Sequence, residues 1–449
     1  LIRTNDSPKW APVDIKLHYG YDDKNQSNYV IISKWEAHLP SAGTTITGRL
    51  KEEDAIQLAH YHQHLTNLGL ASDDYLVGII GREYDTVAWG KLHLSIKGAG
   101  KNAPNFLNVY YENFLIAQDI VKKAEERNKD PEIPPPAKSR LSSGKFGCDM
   151  CKFRLICRKE LENFDNKAGH VSLLAGVQKD TQARHFPDIE SIRDLAMASN
   201  LSDIGEKARR RAQVWLSKKP MLVDPAKPLE IPEFDIEVDI DLENSQALLE
   251  EILPGELMSD DRVYLYGYGI HDRTKNKDWR SAEIHSIYDF ANTDEAEYNV
   301  LSQMWSKLEE LAKVAKASGQ TIGIFHYSHH EKTWWRNFAN RFEGKPNVPT
   351  LSHVEDFMSN YFVDLIEFSR KVALPLTGYG VKLLAPHAGF NWSVDKAGGA
   401  YSLLRYRDAT DLSKPEPDRR EAQDWLISYN RDDVRATYAV REYLRSLSM

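Results

Sequence analysis

Phe234-Asp235-Ile236-Glu237-Val238-Asp239-Ile240-Asp241-Leu242-Glu243 is the stretch on which the reading of the chain's second half turns. Apolar and acidic residues alternate in it without a break, a period of two that predicts a β-strand with one face on a core. The other face then presents carboxylates at 235, 237, 239, 241 and 243. Like charges in a row repel unless a cation lies among them, and a divalent metal is the natural occupant. For the alternation taken alone, the plain alternative is a solvated edge strand charged against aggregation.

Two later segments carry matching groups. Thr321-Ile322-Gly323-Ile324-Phe325-His326-Tyr327-Ser328-His329-His330-Glu331 begins as a short apolar strand and ends in a polar turn, before a helical stripe of Trp334, Trp335 and Phe338. Glu331 is thereby expected at a strand end, near a helix start. Asp424 to Leu444 predicts a helix with Trp425, Leu426, Tyr429, Val434, Tyr438 and Val440 as apolar positions, which sets Tyr429 and Asp433 one turn apart on one face. A phenol that orients water beside a metal-binding carboxylate suits in-line hydrolysis of a phosphodiester. Taken singly, a Tyr and an Asp at that spacing are ordinary core and surface residues.

The succession Ile240-Asp241-Leu242-Glu243, His326-Tyr327-x-x-x-Glu331 and Tyr429-x-x-x-Asp433 resembles the DEDDy exonuclease superfamily, and within it the YprB-type RNase H-like domain. The resemblance covers residues 228–449 and takes in Val363-Asp364-Leu365, Tyr379-Gly380-Val381-Lys382 and Gly389-Phe390. It implies a mixed-sheet α/β domain in which Asp241, Glu243, Glu331 and Asp433 hold two Mg2+ or Mn2+ ions. By the same likeness Tyr429 positions the attacking water and cleavage runs 3' to 5'. Glu331 stands where the wider superfamily has Asp. The register of the first pair stays open: Asp239 with Asp241, or Asp235 with Glu237, are alternatives to Asp241 with Glu243, a choice that the following Asn244-Ser245 favours.

All three cysteines fall within ten residues, at Cys148, Cys151 and Cys157. Such clustering is no disulfide framework; it suits an iron-sulfur cluster or zinc, each of which takes four ligands. The fourth is expected from a cysteine upstream of Leu1 or from a histidine such as His170. The spacing resembles the C-terminal cysteine triple of iron-sulfur nucleases, which implies a [4Fe-4S] cluster, with Zn2+ as the alternative.

Trp10-Ala11-Pro12-Val13-Asp14-Ile15-Lys16-Leu17-His18 predicts a strand with Asp14 and Lys16 on one face, and Gln57-Leu58-Ala59-His60-Tyr61 lies on a helix downstream. A strand carboxylate that binds metal beside a lysine that stabilises charge on a phosphate is the chemistry of PD-(D/E)xK nucleases. With the cysteine triple, these residues resemble the RecB-like nuclease family over residues 1 to about 160. The likeness implies Asp14 as a metal ligand, Lys16 at the phosphate, and Gln57 and Tyr61 in the family's helix motif. That family's other metal-binding Asp precedes this strand and is not in the sequence, so the N-terminal site is expected to be incomplete.

The expected organisation of the 449 residues is α/β: a PD-(D/E)xK, restriction-endonuclease-like domain over 1–160, a helical connector over 161–222, and the RNase H-like domain over 228–449. Pro220, Pro225, Pro228 and Pro232 mark the linker before the acidic strand. In the connector, Ile192, Leu195 and Ala196 form one apolar face and Ala208, Ala212, Trp215 and Leu216 another. The turn Leu201-Ser202-Asp203-Ile204-Gly205 between them resembles a helix-hairpin-helix, a plain spacer being the alternative. A net charge of -8 does not advertise nucleic-acid binding; Arg209, Arg210, Arg211 and Lys382 are the candidate contacts to a phosphate backbone. Trp334 and Trp335 are candidates for base stacking, with core packing as the plain reading.

No apolar run approaches the roughly 20 residues of a membrane span, and a cytoplasmic location is expected. A Gly-x-x-x-x-Gly-Lys-Ser/Thr phosphate loop is absent from the sequence, so any helicase is expected on a separate chain or segment. The function these features point to is a metal-dependent nuclease acting on DNA or RNA, in repair, recombination or processing. The alternatives are a nucleic-acid-binding scaffold with degenerate nuclease folds, or activity residing mainly in the N-terminal domain.

Overall fold

The computed structural model describes residues 1–3, 9–16, 20–22, 29–34, 43–81, 85–94, 104–130, 154–177, 179–245, 261–275 and 283–447. The chain divides into two compact units, Leu1–Ser139 and Arg140–Met449.

The first unit is a five-stranded sheet with helices packed on it. Its strands are β1 (Val13–Ile15), β2 (Tyr29–Lys34), β3 (Thr44–Thr47), β4 (Leu76–Ile80) and β5 (Thr86–Lys91), in the order β1-β4-β5-β2-β3. β1 runs parallel to β4, and the remaining pairs are antiparallel. Helices α1 (Glu52–Asn67) and α2 (Phe106–Lys129) bury Ala55, Leu58, Phe106 and Tyr110 against Val30, Val77 and Ile79. Glu52, Glu53 and Asp54 fill the first turn of α1, where the helix dipole favours anions.

In the second unit the stretch expected as a connector forms helices α3 (Ile192–Met197) and α4 (Asp203–Ser217). Ser202 caps α4 by accepting the Gly205 amide, and Lys218 ends it in the left-handed conformation. Ile192, Leu195, Ala208 and Ala212 are buried together as expected, whereas Leu216 points outward. Beyond the helix, Met221–Leu222 pairs antiparallel with Val372–Ala373, which ties this segment to the C-terminal part of the same unit.

The acidic stretch becomes β6 (Ile236–Asn244), the central strand of a mixed sheet with β7 (Val263–Asp272), β8 (Ile284–Tyr288), β9 (Ile322–His326) and β10 (Phe362–Asp364). The order is β8-β7-β6-β9-β10, with β6 antiparallel to β7 and parallel to β9. Strict alternation divides β6 between two layers. Val238, Ile240 and Leu242 join a core built by helices α5 (Asp294–Ala317), α6 (His330–Arg341) and α7 (Leu351–Tyr361). Each fully buried aliphatic side chain there contributes about 1.5–3 kcal/mol. Trp334 and Trp335 are both buried in that core, so of the two readings the sequence offered it is core packing that the structure bears out.

The opposite face of β6 is covered by α10 (Glu416–Ser446), preceded by α8 (Val381–His387) and α9 (Gly399–Thr410). With 31 residues, α10 extends beyond both predicted ends. It buries Ala436, Val440 and Leu444 against Val372, Leu374 and Leu384.

Candidate metal centre

The acidic face of β6 is partitioned along its length by what α10 sets over it. Glu237 and Asp239 meet the fully buried Arg441, whose guanidinium lies 2.8 Å from Glu237 and 2.9 Å from Asp239; Arg445 adds a 2.6 Å contact to Glu237. Asp235 accepts from the amide and hydroxyl of Thr321, each at 2.8 Å. These three carboxylates therefore have permanent partners. Two turns back along α10, the residues facing β6 are Asn430 and Asp433, and among the described residues no arginine pairs with Asp241 or Glu243.

Asp241, Glu243 and Asp433 instead converge, with one oxygen from each lying within 4.8 Å of the others. Among the described residues this is the set of three groups placed to hold a metal ion. Burial first, then the charges of Asp433, Glu243 and Glu331, pushes the Asp241 carboxyl well above the usual range. Burial and the Asp433 charge push Glu243 up to about 8, against the pull of Lys382 and a hydrogen bond with Ser402 of α9. Asp433 is raised as well, by burial that its hydrogen bonds do not fully offset. Three converging carboxylates that cannot comfortably ionise together are the donor set a hard divalent cation takes. The residues fit such an ion.

Neighbouring side chains fix these groups. Asn430 donates its amide to Asp241 Oδ2 at 2.8 Å, Trp392 donates its indole N–H to Asp433 Oδ1 at 2.6 Å, and Lys382 pairs with the same oxygen. Asn430 reaches Asp241 because Gly267, the residue of β7 registered opposite Asp241, leaves room for it. Asn430 and Trp392 were not anticipated from the sequence. Their nearest signals are the sequence neighbours Tyr429 and Gly389-Phe390, which lie within the segments already singled out.

Tyr429 is buried, stacked on Trp425 with centroids 5.1 Å apart and rings 14° from parallel. Its phenol shares a hydrogen bond with Asp433, and burial, followed by the Asp433 charge, raises its pKa far above the ordinary value. It thus stays protonated, able to orient a water but not to act as a base.

Glu331 occupies the first turn of α6, entered through Ser328, whose φ of 82° is held by a 2.9 Å bond from its amide to Asp364. It is buried beside His326 at 3.4 Å and raises Asp241, but it is not one of the three converging carboxylates. His330 faces Asn244 at 3.2 Å rather than a group of ligands.

Arg209 and Arg211 on α4 have partners in the protein. Arg209 is bonded to Glu206 at 2.6 and 2.9 Å, and Arg211 donates to the Tyr379 hydroxyl at 3.2 Å. Arg210 is half-buried on the same helix.

In the first unit, the four sequence candidates come together. Lys16 lies 2.9 Å from Asp14 and donates to Gln57 Oε1 at 2.7 Å; Gln57 in turn donates to the Tyr61 hydroxyl at 2.7 Å. The sequence reading missed Asp54, buried in the first turn of α1 and 3.5 Å from Lys16. Burial works against the lysine's charge, but Asp14 and then Asp54 outweigh it and raise its pKa.

Cys148, Cys151 and the side chain of Cys157 lie outside the described residues. His170, the candidate fourth ligand, is buried and uses Nδ1 to accept the Ser172 amide at 3.1 Å. Among the described residues no helix is long and apolar enough to cross a membrane.

No curated protein and no solved structure matches the chain. A family model does match: residues 256–445 fit that of the RNase_H superfamily, a span that holds Glu331, Tyr429 and Asp433 and begins after the strand carrying Asp241 and Glu243. The C-terminal part of the chain is therefore RNase H-like, a fold that suggests a nuclease-type, nucleic-acid-processing protein.

Proposed function

We propose that the chain is a metal-dependent nuclease that hydrolyses phosphodiester bonds from a 3' end, with Asp241, Glu243 and Asp433 as the metal ligands of the RNase H-like part. The observation that carries this reading is the convergence of three carboxylates from β6 and α10 that share no arginine among the described residues, beside two acids on the same strand that each have one. Asp241, Glu243 and Asp433 would hold a divalent cation there, which would supply positive charge to the departing 3' oxygen and acidify a water. Asn430 and Trp392 hold Asp241 and Asp433 in place. Tyr429 orients the water through its retained proton, and Glu331 deepens the negative field that favours a dication.

The test is Mn2+-dependent degradation of 5'-labelled single-stranded DNA and RNA, beside Asp241→Ala and Asp433→Ala. A ladder of shortened products lost in both variants supports the proposal and names the substrate. An intact substrate with the unmutated chain sinks it in favour of a scaffold.

A second reading draws on the first unit, where Asp14, Lys16, Asp54, Gln57 and Tyr61 form one hydrogen-bonded group suited to a PD-(D/E)xK centre. Cleavage that survives Asp433→Ala and disappears with Lys16→Ala would place activity there.

A further inference from the structure

Among the described residues, Lys382 of α8 is the only cation in ion-pair contact with Asp241, Glu243 or Asp433. It is held on three sides: by the Asp433 carboxylate and by the ring faces of Trp392 and Tyr429, each centred 4.2 Å from the ammonium. An exposed lysine wanders through solvent, whereas this one is caged between the aromatic residue that binds Asp433 and the tyrosine that the site uses. The cage is open on one side, since a third of the side chain remains accessible.

A dication and an ammonium cannot both occupy ion-pair distance from Asp433 without repulsion. Lysine differs from the arginines over Glu237 and Asp239 in this respect. Arg441 is wholly buried and bonded to two acids, so it is fixed; Lys382 has a flexible four-carbon stem and a path to solvent. The fold thus leaves a permanent cation, Arg441 of α10, over one pair of acids and a movable one, Lys382 of α8, over the other set.

We propose that Lys382 is the resident counter-ion of the carboxylate cluster: it neutralises Asp433 when no metal is present, is displaced when a divalent cation binds, and then receives a phosphate of the nucleic-acid strand. This rests on the reading of the cluster as a metal site. Metal affinity is lowered by the lysine that must first leave, and the released charge raises affinity for the anionic substrate, so metal and nucleic acid strengthen each other's binding by the same factor.

The experiment titrates Mn2+ calorimetrically into the full chain without nucleic acid, for the unmutated protein, Lys382→Met, Lys382→Gln, Lys382→Arg and Asp433→Asn, with circular dichroism to confirm folding. The two neutral variants, either of which suffices if folded, are expected to bind Mn2+ about tenfold more tightly. Lys382→Arg should stay near the unmutated value, and Asp433→Asn should lose binding. A parallel anisotropy titration uses a fluorescein-labelled single-stranded oligonucleotide with and without Ca2+. Ca2+ should strengthen binding to the unmutated chain and lose that effect in the neutral variants.

Unchanged or weaker Mn2+ binding in both neutral variants, with Asp433→Asn still impaired, overturns the counter-ion role and leaves the metal site standing. A Ca2+ effect that persists in them overturns the transfer to phosphate. Absence of Mn2+ binding by the unmutated chain overturns both this inference and the reading beneath it.

Discussion

The amide of Asn430 meets Oδ2 of Asp241 at 2.8 Å through a gap that only glycine leaves open. Gly267 faces Asp241 across the β6–β7 pairing, and a Cβ there would stand 2.1 Å from Asn430 Oδ1 and 2.9 Å from Val434. Gly267→Ala is therefore expected to push α10 off the sheet at the carboxylates, at a cost of about 1–3 kcal/mol. Urea unfolding measures the loss. Adding Asn430→Ala should recover part of it, and a strictly additive double variant would refute the clash.

The raised carboxyls make metal-free stability depend on pH. Glu243, at about 8 in the folded chain against an ordinary 4.5, holds a proton in the native state that the unfolded state has lost. Native binding of the extra proton makes stability fall as pH rises from about 4.5 to about 8. Thermal melts of chelator-treated protein should show a declining midpoint across that window. Saturating Mn2+ should flatten the decline, and an equal slope with and without metal would refute the linkage.

Arg441 is a different case, because its charge has no exit. Replacing it with Met strands Asp239 in a buried site and removes one of the three arginines paired with Glu237, for which a loss of about 3–5 kcal/mol is expected. Asp239→Asn in the same chain should recover part of that loss in chemical denaturation. A single variant as stable as the unmutated chain would contradict the pairing.

Substitution should tell the two candidate centres apart. Lys16→Ala should leave Mn2+-dependent trimming of a labelled 3' end intact, while Asp433→Ala should reduce it by at least a hundredfold, the order of a lost electrostatic contribution to catalysis. Initial rates on one labelled substrate decide the matter. The reverse pattern would move the chemistry to the first unit.

Much of the second unit was legible because β6 is both central and strictly alternating, which fixed its two faces before any partner was known. Helical spacing set Tyr429 and Asp433 on one face, and it was the resemblance to DEDDy exonucleases that singled them out. Among the five acids the family pattern favoured Asp241 with Glu243, but the physical ground was hidden, because Arg441 and Arg445, which pair with Glu237 and Asp239, look like surface charges at the end of a polar helix. Asn430, Trp392 and Gly267 were hidden for the same reason: each acts through a crossing of elements distant in sequence. Trp334 and Trp335 were ambiguous by type, since a tryptophan pair reads alike whether it meets a base or a core.

Asn430 and Asp241 are 189 residues apart, and that separation orders events at the ribosome. At about 5–20 residues per second, the strand emerges roughly 10–40 s before the helix that completes the site. Throughout that interval the nascent chain carries an acidic ribbon without Arg441 and Arg445, and two of the three converging carboxylates without the third. A chain interrupted before α10 would hence lose the cover over the acidic face of β6 and the third of the converging carboxylates together.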